Sequence, residues 1–374
     1  MGTELAEVFP AGEHLSDELE ARGWSQADFA EILGRPPQFV SEIISGKKEI
    51  TRESAAQIGA ALGTSAELWL RLQDEYLLWR QSQDGASRET VEEVRTRARL
   101  AEIAPLRELR RRGVITSNST AGLVDEVKIL FGLDSIWDEP HLMIAARRGN
   151  RTDPLTATQN GWLACVVRGL AGRSTASYSP SHLRSLAAQL SRTVRDPAAV
   201  ADLPKLYAEA GVRLVHVPAF PSSKLSGAAF QDDAGPVIAL SGLRPRLDIT
   251  LFTLLHETAH IALGHLDDHG GISIEDEEHP HTLGDEHEAD NLAEQWLLPH
   301  PLPPVPTRVT RIWVDKTASM EGVHPIVIVG RLQHLRLVPW NSALATGAPK
   351  VTQYLQQWST DKRPPAPQPP TPRP

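Results

Sequence analysis

The sequence predicts a multidomain protein, mainly α with a small β-sheet, in which a helical N-terminal domain is joined through a helical stretch to a C-terminal α+β domain. Three observations predict it. A chain of 374 residues has room for two or three domains of about 100–200 residues each. The first 80 residues break into short apolar-periodic runs, each opened by Ser, Thr or Pro or closed by Gly, the start and stop signals of helices. Short β-branched runs, the signature of strands, stand at 212–217 and 236–241.

In order along the chain, the N-terminal helices are HLSDELEARG, SQADFAEILG, PPQFVSEIISG, TRESAAQIGAALG and SAELWLRLQDEYLLWR. Phe29, Ile32 and Leu33, then Val40, Ile43 and Ile44, recur at helical spacing and form the candidate core. Residues 1–80 are therefore one compact helical domain. From 84 to about 112 the composition turns to Arg and Glu, which predicts an exposed helical connector with Arg110, Arg111 and Arg112 at a solvated helix end. Residues 81–200 as a whole read as a helical spacer. A domain over 201–340 follows, with strands VRLVHV and PVIALS, SGAAFQDDAG between them ending in a turn, and the long apolar helix DITLFTLLHETAHIALGH. After a carboxylate-rich loop a second helix runs from about Gly284 to Leu298, and a last one lies near IVIVGRLQHLRL. The Pro-rich end, 341–374, is expected to stay extended and mobile.

Composition excludes several classes. Hydrophobic residues are 41% and charged residues 23%, ordinary globular usage, so neither wholesale disorder nor a fibre fits. No run of eighteen apolar residues and no basic-then-apolar start is present, so a cytoplasmic location is expected. The lone Cys165 makes neither an internal disulfide nor a multi-cysteine metal site, which directs metal chemistry to His and carboxylates. A net charge of -9 argues against extensive coating of nucleic acid and leaves room for a small local contact.

The sharpest motif is HETAH, 256–260. Residues four apart share a helix face, so His256 and His260 direct two imidazoles at one ion while Glu257 reaches a water beside it. Two histidines and a glutamate inside an apolar helix are costly to bury without such a task. A catalytic zinc needs a third protein ligand and an open position. His265 is the nearest in sequence, but the HExxHxxGxxH spacing would require Gly at 263 and His at 266, where Leu263 and Leu266 stand. The better source is EHEADNLAEQWLLP. Glu286 and Asp290 share a face, which makes Glu286 the third ligand and Asp290 the partner of a ligand histidine's second N–H. Glu288 is the rival ligand, and an ordinary amphipathic helix with an acidic first turn is the alternative for the whole segment. The acidic run Asp267, Asp268, Glu275 to Glu278, Asp285, Glu286 and Glu288 would attract a basic peptide, and His279, His281 and His287 are candidate oxyanion donors. The chemistry this predicts is zinc-assisted hydrolysis, with Glu257 as general base and a strand edge to receive an extended peptide.

FTLLHETAHIALGH followed by EHEADNLAEQWLLP resembles the ImmA/IrrE metallopeptidases, with Leu292 where that family usually has Phe and Trp296 where it often has Leu. The resemblance covers about 200–340 and takes in VRLVHV, PVIALS and HPIVIVGRLQHLRLVPW. It implies a zincin-like domain, a Zn2+ cofactor held by His256, His260 and Glu286, and Glu257 as catalytic base. It also implies a regulatory endopeptidase that cleaves or inactivates a transcriptional repressor.

SQADFAEILGRPPQFVSEIISGKKEI has the layout of a helix-turn-helix, with Ser25 as cap, Ala30 at the crossing and Gly34 at the turn. The second helix, starting at Pro36 or Pro37, would turn Gln38, Phe39 and Ser41 toward a major groove, with Lys47 and Lys48 near phosphates and Gln26 on the preceding helix beside them. From about Phe9 to Trp79 the chain is similar to HigA-type antitoxins of the Xre/Cro class, through PPQFVSEIISGKKEIT and LGTSAELWLRLQ. That resemblance implies operator DNA and a toxin as partners. Yet residues 1–80 carry seven Lys and Arg against fourteen Asp and Glu, so a protein-binding module is the alternative. Trp69, Leu72, Tyr76 and Trp79 form either a core stripe or the seam of a homodimer. Two further readings stay open for the metal domain: a non-cleaving sensor or scaffold in an antitoxin-like regulator, and a hydrolase of non-peptide amides.

Overall fold

The computed structural model describes residues 8–140, 155–173, 175–266, 273–276 and 284–358. The chain divides into two compact units, Met1–Arg97 and Ala98–Pro374.

The first unit contains α1 (Ala11–Arg22), α2 (Gln26–Ile32), α3 (Pro37–Ile44), α4 (Arg52–Leu62) and α5 (Ala66–Gln83). The punctuation seen in the sequence has a physical counterpart at each end. The Ser25 hydroxyl accepts the Asp28 N–H while the Asp28 carboxylate accepts the Ser25 N–H at 2.9 Å, a reciprocal cap that starts α2. Gly34 takes φ +65, which turns the chain between α2 and α3. At Gly12, a Cβ would lie 2.5 Å from the Ile43 carbonyl oxygen, so α1 meets the end of α3 only because that side chain is absent. Leu15, Phe29, Ala30, Val40, Ile43, Ile58 and Trp69 are buried together. Of the aromatic stripe on α5, Trp69 and Leu72 belong to this core, whereas Tyr76 and Trp79 stack on each other at 6.0 Å.

In the second unit a four-stranded sheet has the order β1-β3-β2-β4, with β1 Arg213–His216, β2 Leu225–Asp232, β3 Gly235–Leu240 and β4 Ser273–Asp276. β1 runs parallel to β3, β2 and β3 form an antiparallel hairpin, and β4 pairs antiparallel with β2. SGAAFQDDAG is therefore mostly strand rather than a link, because Ala228, Ala229 and Phe230 alternate between two buried faces. One face presents Leu214, Ala229, Ile238 and Leu240 to the histidine helix, Leu247–Leu263. The other presents Val215, Ala228, Phe230, Val237 and Ala239 to helices from the stretch before the sheet, Leu106–Arg111, Thr120–Phe131 and Ala157–Gly169. Leu and Ile on one face and Val and Phe on the other suit a sheet covered on both sides.

Two expected boundaries change. Residues 81–200 are not a spacer throughout, since from Leu100 onward their apolar residues cover one face of the sheet and, through Leu183, Ala187 and Leu190, join the core on the other. The basic triplet is not simply solvated either. Arg112 lies 4.0 Å over the Phe220 ring, donates to the carbonyls of Pro218 and Ala219 at 2.8 and 2.7 Å, and bonds Glu108 at 2.6 Å. Arg111 and Arg112 hold the Glu108 carboxyl down at about 2. The C-terminal segment also packs farther than expected: Val351, Leu355 and Trp358 are buried, and the Trp358 indole donates to the Val200 carbonyl at 2.9 Å. Residues 359–374 lie outside the described residues.

His216, on β1, is enclosed, and burial pushes its imidazole down to about 4 despite backbone hydrogen bonds at Ser241 and Leu355 that favour the charged form. A histidine buried neutral binds its proton more readily when unfolded. Its contribution is therefore present above pH 6.5 and is lost as pH falls toward 4, on the order of 3 kcal/mol in all. The second unit is expected to lose melting temperature across this window, and a His216→Gln variant to show a shallower fall in the same pH series.

Candidate metal centre

The histidine helix is buried continuously from Thr253 to Ile261, its polar residues His256, Glu257, Thr258 and His260 included. Leu251, Leu254, Leu255 and Ala259 hold it in the core. The Tyr207 hydroxyl lies 2.8 Å from Thr258 Oγ1, which fixes the rotation of the helix about its axis. Beside it packs the acidic helix, Gly284–Leu297, through Ala289 and Ala293. Their small side chains let the two helices approach closely enough for short polar groups to meet.

His256, His260 and Glu286 converge. His256 Nε2 and His260 Nε2 are 3.0 Å apart, and Glu286 Oε2 lies 3.2 Å from the first and 3.4 Å from the second. A tetrahedral zinc at 2.0–2.1 Å from its ligands separates neighbouring ligand atoms by about 3.3 Å. The three observed edges bracket that value, so the donor set fits a zinc ion in both chemistry and size. Asp290 Oδ1 lies 2.9 Å from His256 Nδ1, which places the proton on Nδ1 and turns the Nε2 lone pair toward the shared point. Burial pushes the His260 imidazole down, toward the neutral form a metal requires, with Glu286 opposing.

Glu257 is fully buried, one residue along from His256, and is not among the converging ligands. It sits against β2: a Cβ on Gly227 would come within 2.9 Å of both Glu257 Oε1 and Thr253 Cγ2. The sequence signal for this contact is Gly227 itself, since a glycine inside a strand pattern marks close approach. His265 does not join the ligand set; its Nδ1 lies 3.1 Å from His260 Nδ1, on the ring edge away from Glu286. Glu288, the rival ligand, faces His265 Nε2 at 3.6 Å. His287 is exposed on the acidic helix, while Asp267, Asp268, Glu277, Glu278, His279 and His281 lie outside the described residues.

In the N-terminal unit Gln26, Gln38, Ser41, Lys47 and Lys48 are exposed. The Phe39 ring is half-buried against the core and flanked by the Lys48 ammonium at 4.7 Å and the Arg35 guanidinium at 5.4 Å. Gln38 donates to Glu42 at 2.8 Å, Lys48 lies 3.9 Å from the same carboxylate, and Arg35 pairs with Glu53. Acidic partners thus absorb part of the basic face.

Among known families, helix-turn-helix matches residues 15–69. The first unit carries an Xre-type helix-turn-helix domain. The chain is also similar to the uncharacterized HTH-type transcriptional regulator YddM of Escherichia coli, 28% identical over 67 residues, which are 18% of this chain and 71% of that protein. Among solved structures, it is similar to a putative antidote protein of a plasmid maintenance system from Nostoc punctiforme. That match is 37% identical, covers 24% of this chain and 96% of that one, and has a TM-score of 0.22. Another is PA4674 of Pseudomonas aeruginosa in complex with its operator DNA, 30% identical over 22% of this chain and 92% of that one, with a TM-score of 0.21. The helix-turn-helix domain contains the α2–α3 pair, with Gln38 and Ser41 on the exposed side of α3. No helix among the described residues is long and apolar enough to cross a membrane.

Proposed function

We propose that this chain is a regulatory zinc endopeptidase whose helix-turn-helix domain binds operator DNA and whose second unit cleaves a repressor or antitoxin-like protein. The observation that carries the proposal is the convergence of His256 Nε2, His260 Nε2 and Glu286 Oε2 with tetrahedral edges, beside a buried glutamate that is not a ligand. The likeness of the two helices to the ImmA/IrrE pattern supports the same reading, and membership of the first unit in the helix-turn-helix family supports the regulatory setting.

In this reading His256, His260 and Glu286 hold the zinc. The bound ion supplies the Lewis acidity that polarises a scissile carbonyl and acidifies water. Glu257 takes the proton of the attacking water and returns it to the departing amine nitrogen. Asp290 keeps His256 in the Nδ1–H form throughout. The apolar helix and the sheet behind it hold these groups on rigid elements, so little reorganisation accompanies the reaction.

Incubation of the zinc-loaded, full-length chain with repressors encoded beside it is expected to give discrete fragments, and none from the Glu257→Gln variant. Absence of fragments from any such protein, with zinc bound, would contradict the endopeptidase reading. A second reading is favoured by one observation, the pairing of Arg35 with Glu53 and Lys48 with Glu42. These ion pairs weaken the face that DNA would meet and suit an antitoxin-like regulator that binds a protein such as a toxin, its metal domain acting as a sensor. A gel shift on the promoter of its own operon, repeated across salt concentrations because phosphate contacts make affinity fall steeply with salt, is read beside the cleavage assay: a shift with no fragments favours the second reading, and Glu257-dependent fragments the first.

A further inference from the structure

We infer that His265 is a positioning residue for the metal pair, performing for His260 the role that Asp290 performs for His256. The inference rests on the zinc reading above. Three observations carry it, all at His265, which lies outside the HETAH motif.

The histidine helix ends in a left-handed glycine: Gly264 has φ +81, and the His265 N–H donates back to the His260 carbonyl at 3.1 Å. This closure is the six-to-one bond that reverses a chain at a helix end. The reversal folds His265 back over the last turn instead of letting it continue along the axis. Its ring then stands 5.1 Å from that of His260 at an interplanar angle of 69°.

The rings meet through one atom each, His265 Nδ1 and His260 Nδ1, 3.1 Å apart. His260 Nε2 faces His256 and Glu286. When Nε2 carries the metal, the only remaining ring proton of His260 is on Nδ1, and it donates to the lone pair on His265 Nδ1. That leaves the proton of His265 on its Nε2, the atom that faces the Glu288 carboxylate at 3.6 Å. The direction of donation is therefore consistent from the metal side to the acidic helix. The His265 side chain is 11% exposed, so the bond to His260 is shielded while Glu288, 67% exposed, provides the contact with solvent.

The two ligand histidines are thus supported from different parts of the chain, His256 by the acidic helix and His260 by the helix end. His265 is a ligand candidate by sequence proximity, yet the Gly264 turn directs it to the opposite edge of the imidazole.

Zinc affinity of the full-length chain, read by competition with a chromophoric chelator, tests this. His265→Ala is expected to weaken zinc binding about 10–100-fold, as loss of an outer hydrogen-bond partner does elsewhere. It should leave the melting temperature of the metal-free protein unchanged within error and shift the absorption bands of the cobalt-substituted form. His265→Gln, which keeps an acceptor, is expected to recover most of the affinity. Affinity within about twofold of the unsubstituted protein in His265→Ala would overturn the inference. Equal weakening in both variants would overturn it too, because side-chain bulk and not the accepted hydrogen bond would then matter. Absence of zinc from the unsubstituted protein would instead overturn the metal reading itself, a different result from the other two.

Discussion

Glu257→Gln is expected to reduce peptide hydrolysis about 10²–10⁴-fold, the range that a positioned general base contributes, while leaving zinc content unchanged. Gln matches Glu in shape and fits the same enclosed space beside Gly227. It does not accept a proton at neutral pH, so only the base function is removed. Glu257 lies outside the converging ligand set of His256, His260 and Glu286, so its replacement leaves those three donors in place. Fragment release under single-turnover conditions measures the chemical step, and metal analysis of the same sample reads occupancy. Undiminished hydrolysis with full zinc would assign the proton transfer to another group and remove Glu257 from the mechanism.

Gly227→Ala has the next largest expected effect, and it acts from the sheet. The added methyl would sit 2.9 Å from Glu257 Oε1 and Thr253 Cγ2, so that something must shift, and 3.2 Å from Glu257 Cγ, a tight contact. Either the histidine helix withdraws from β2 or Glu257 turns aside. Overpacking of this kind destabilises by about 1–3 kcal/mol, and a misplacement near 1 Å costs about 10²-fold in rate. A lowered melting temperature together with hydrolysis depressed beyond what the folded fraction explains is the expected pair of results. Unchanged melting and unchanged rate would show that Glu257 does not depend on this contact.

The helix-turn-helix domain was legible because its signals are local. Ser25, Gly34 and the prolines at 36 and 37 act within a few residues, and the structure places a cap, a left-handed turn and a helix start at them. HETAH was legible for the same reason: spacing of four on one helix brings His256 and His260 within 3.0 Å. The Glu286 and Asp290 pair depended on periodicity in a second helix plus the small residues Ala289 and Ala293, still a pattern that sequence displays. What escaped was set by distant partners. Leu100, Ile103 and Leu109 fall in a stretch that reads as an exposed connector because Arg and Glu dominate 84–112, although these apolar residues cover a sheet formed about a hundred residues later. Arg112 gave no sign of bonding Pro218 and Ala219. The spacing of His265 from the motif does not convey the reversal at Gly264.

The central claim is that two imidazoles and one carboxylate from two helices hold a single zinc ion. Metal analysis of the purified full-length chain beside a Glu286→Gln variant tests it most directly. The expected result is one zinc per chain, with occupancy falling sharply in the variant while the melting temperature of the metal-free form stays the same. A metal content far below one in the unsubstituted chain after incubation with zinc, or equal content in both proteins, would contradict it.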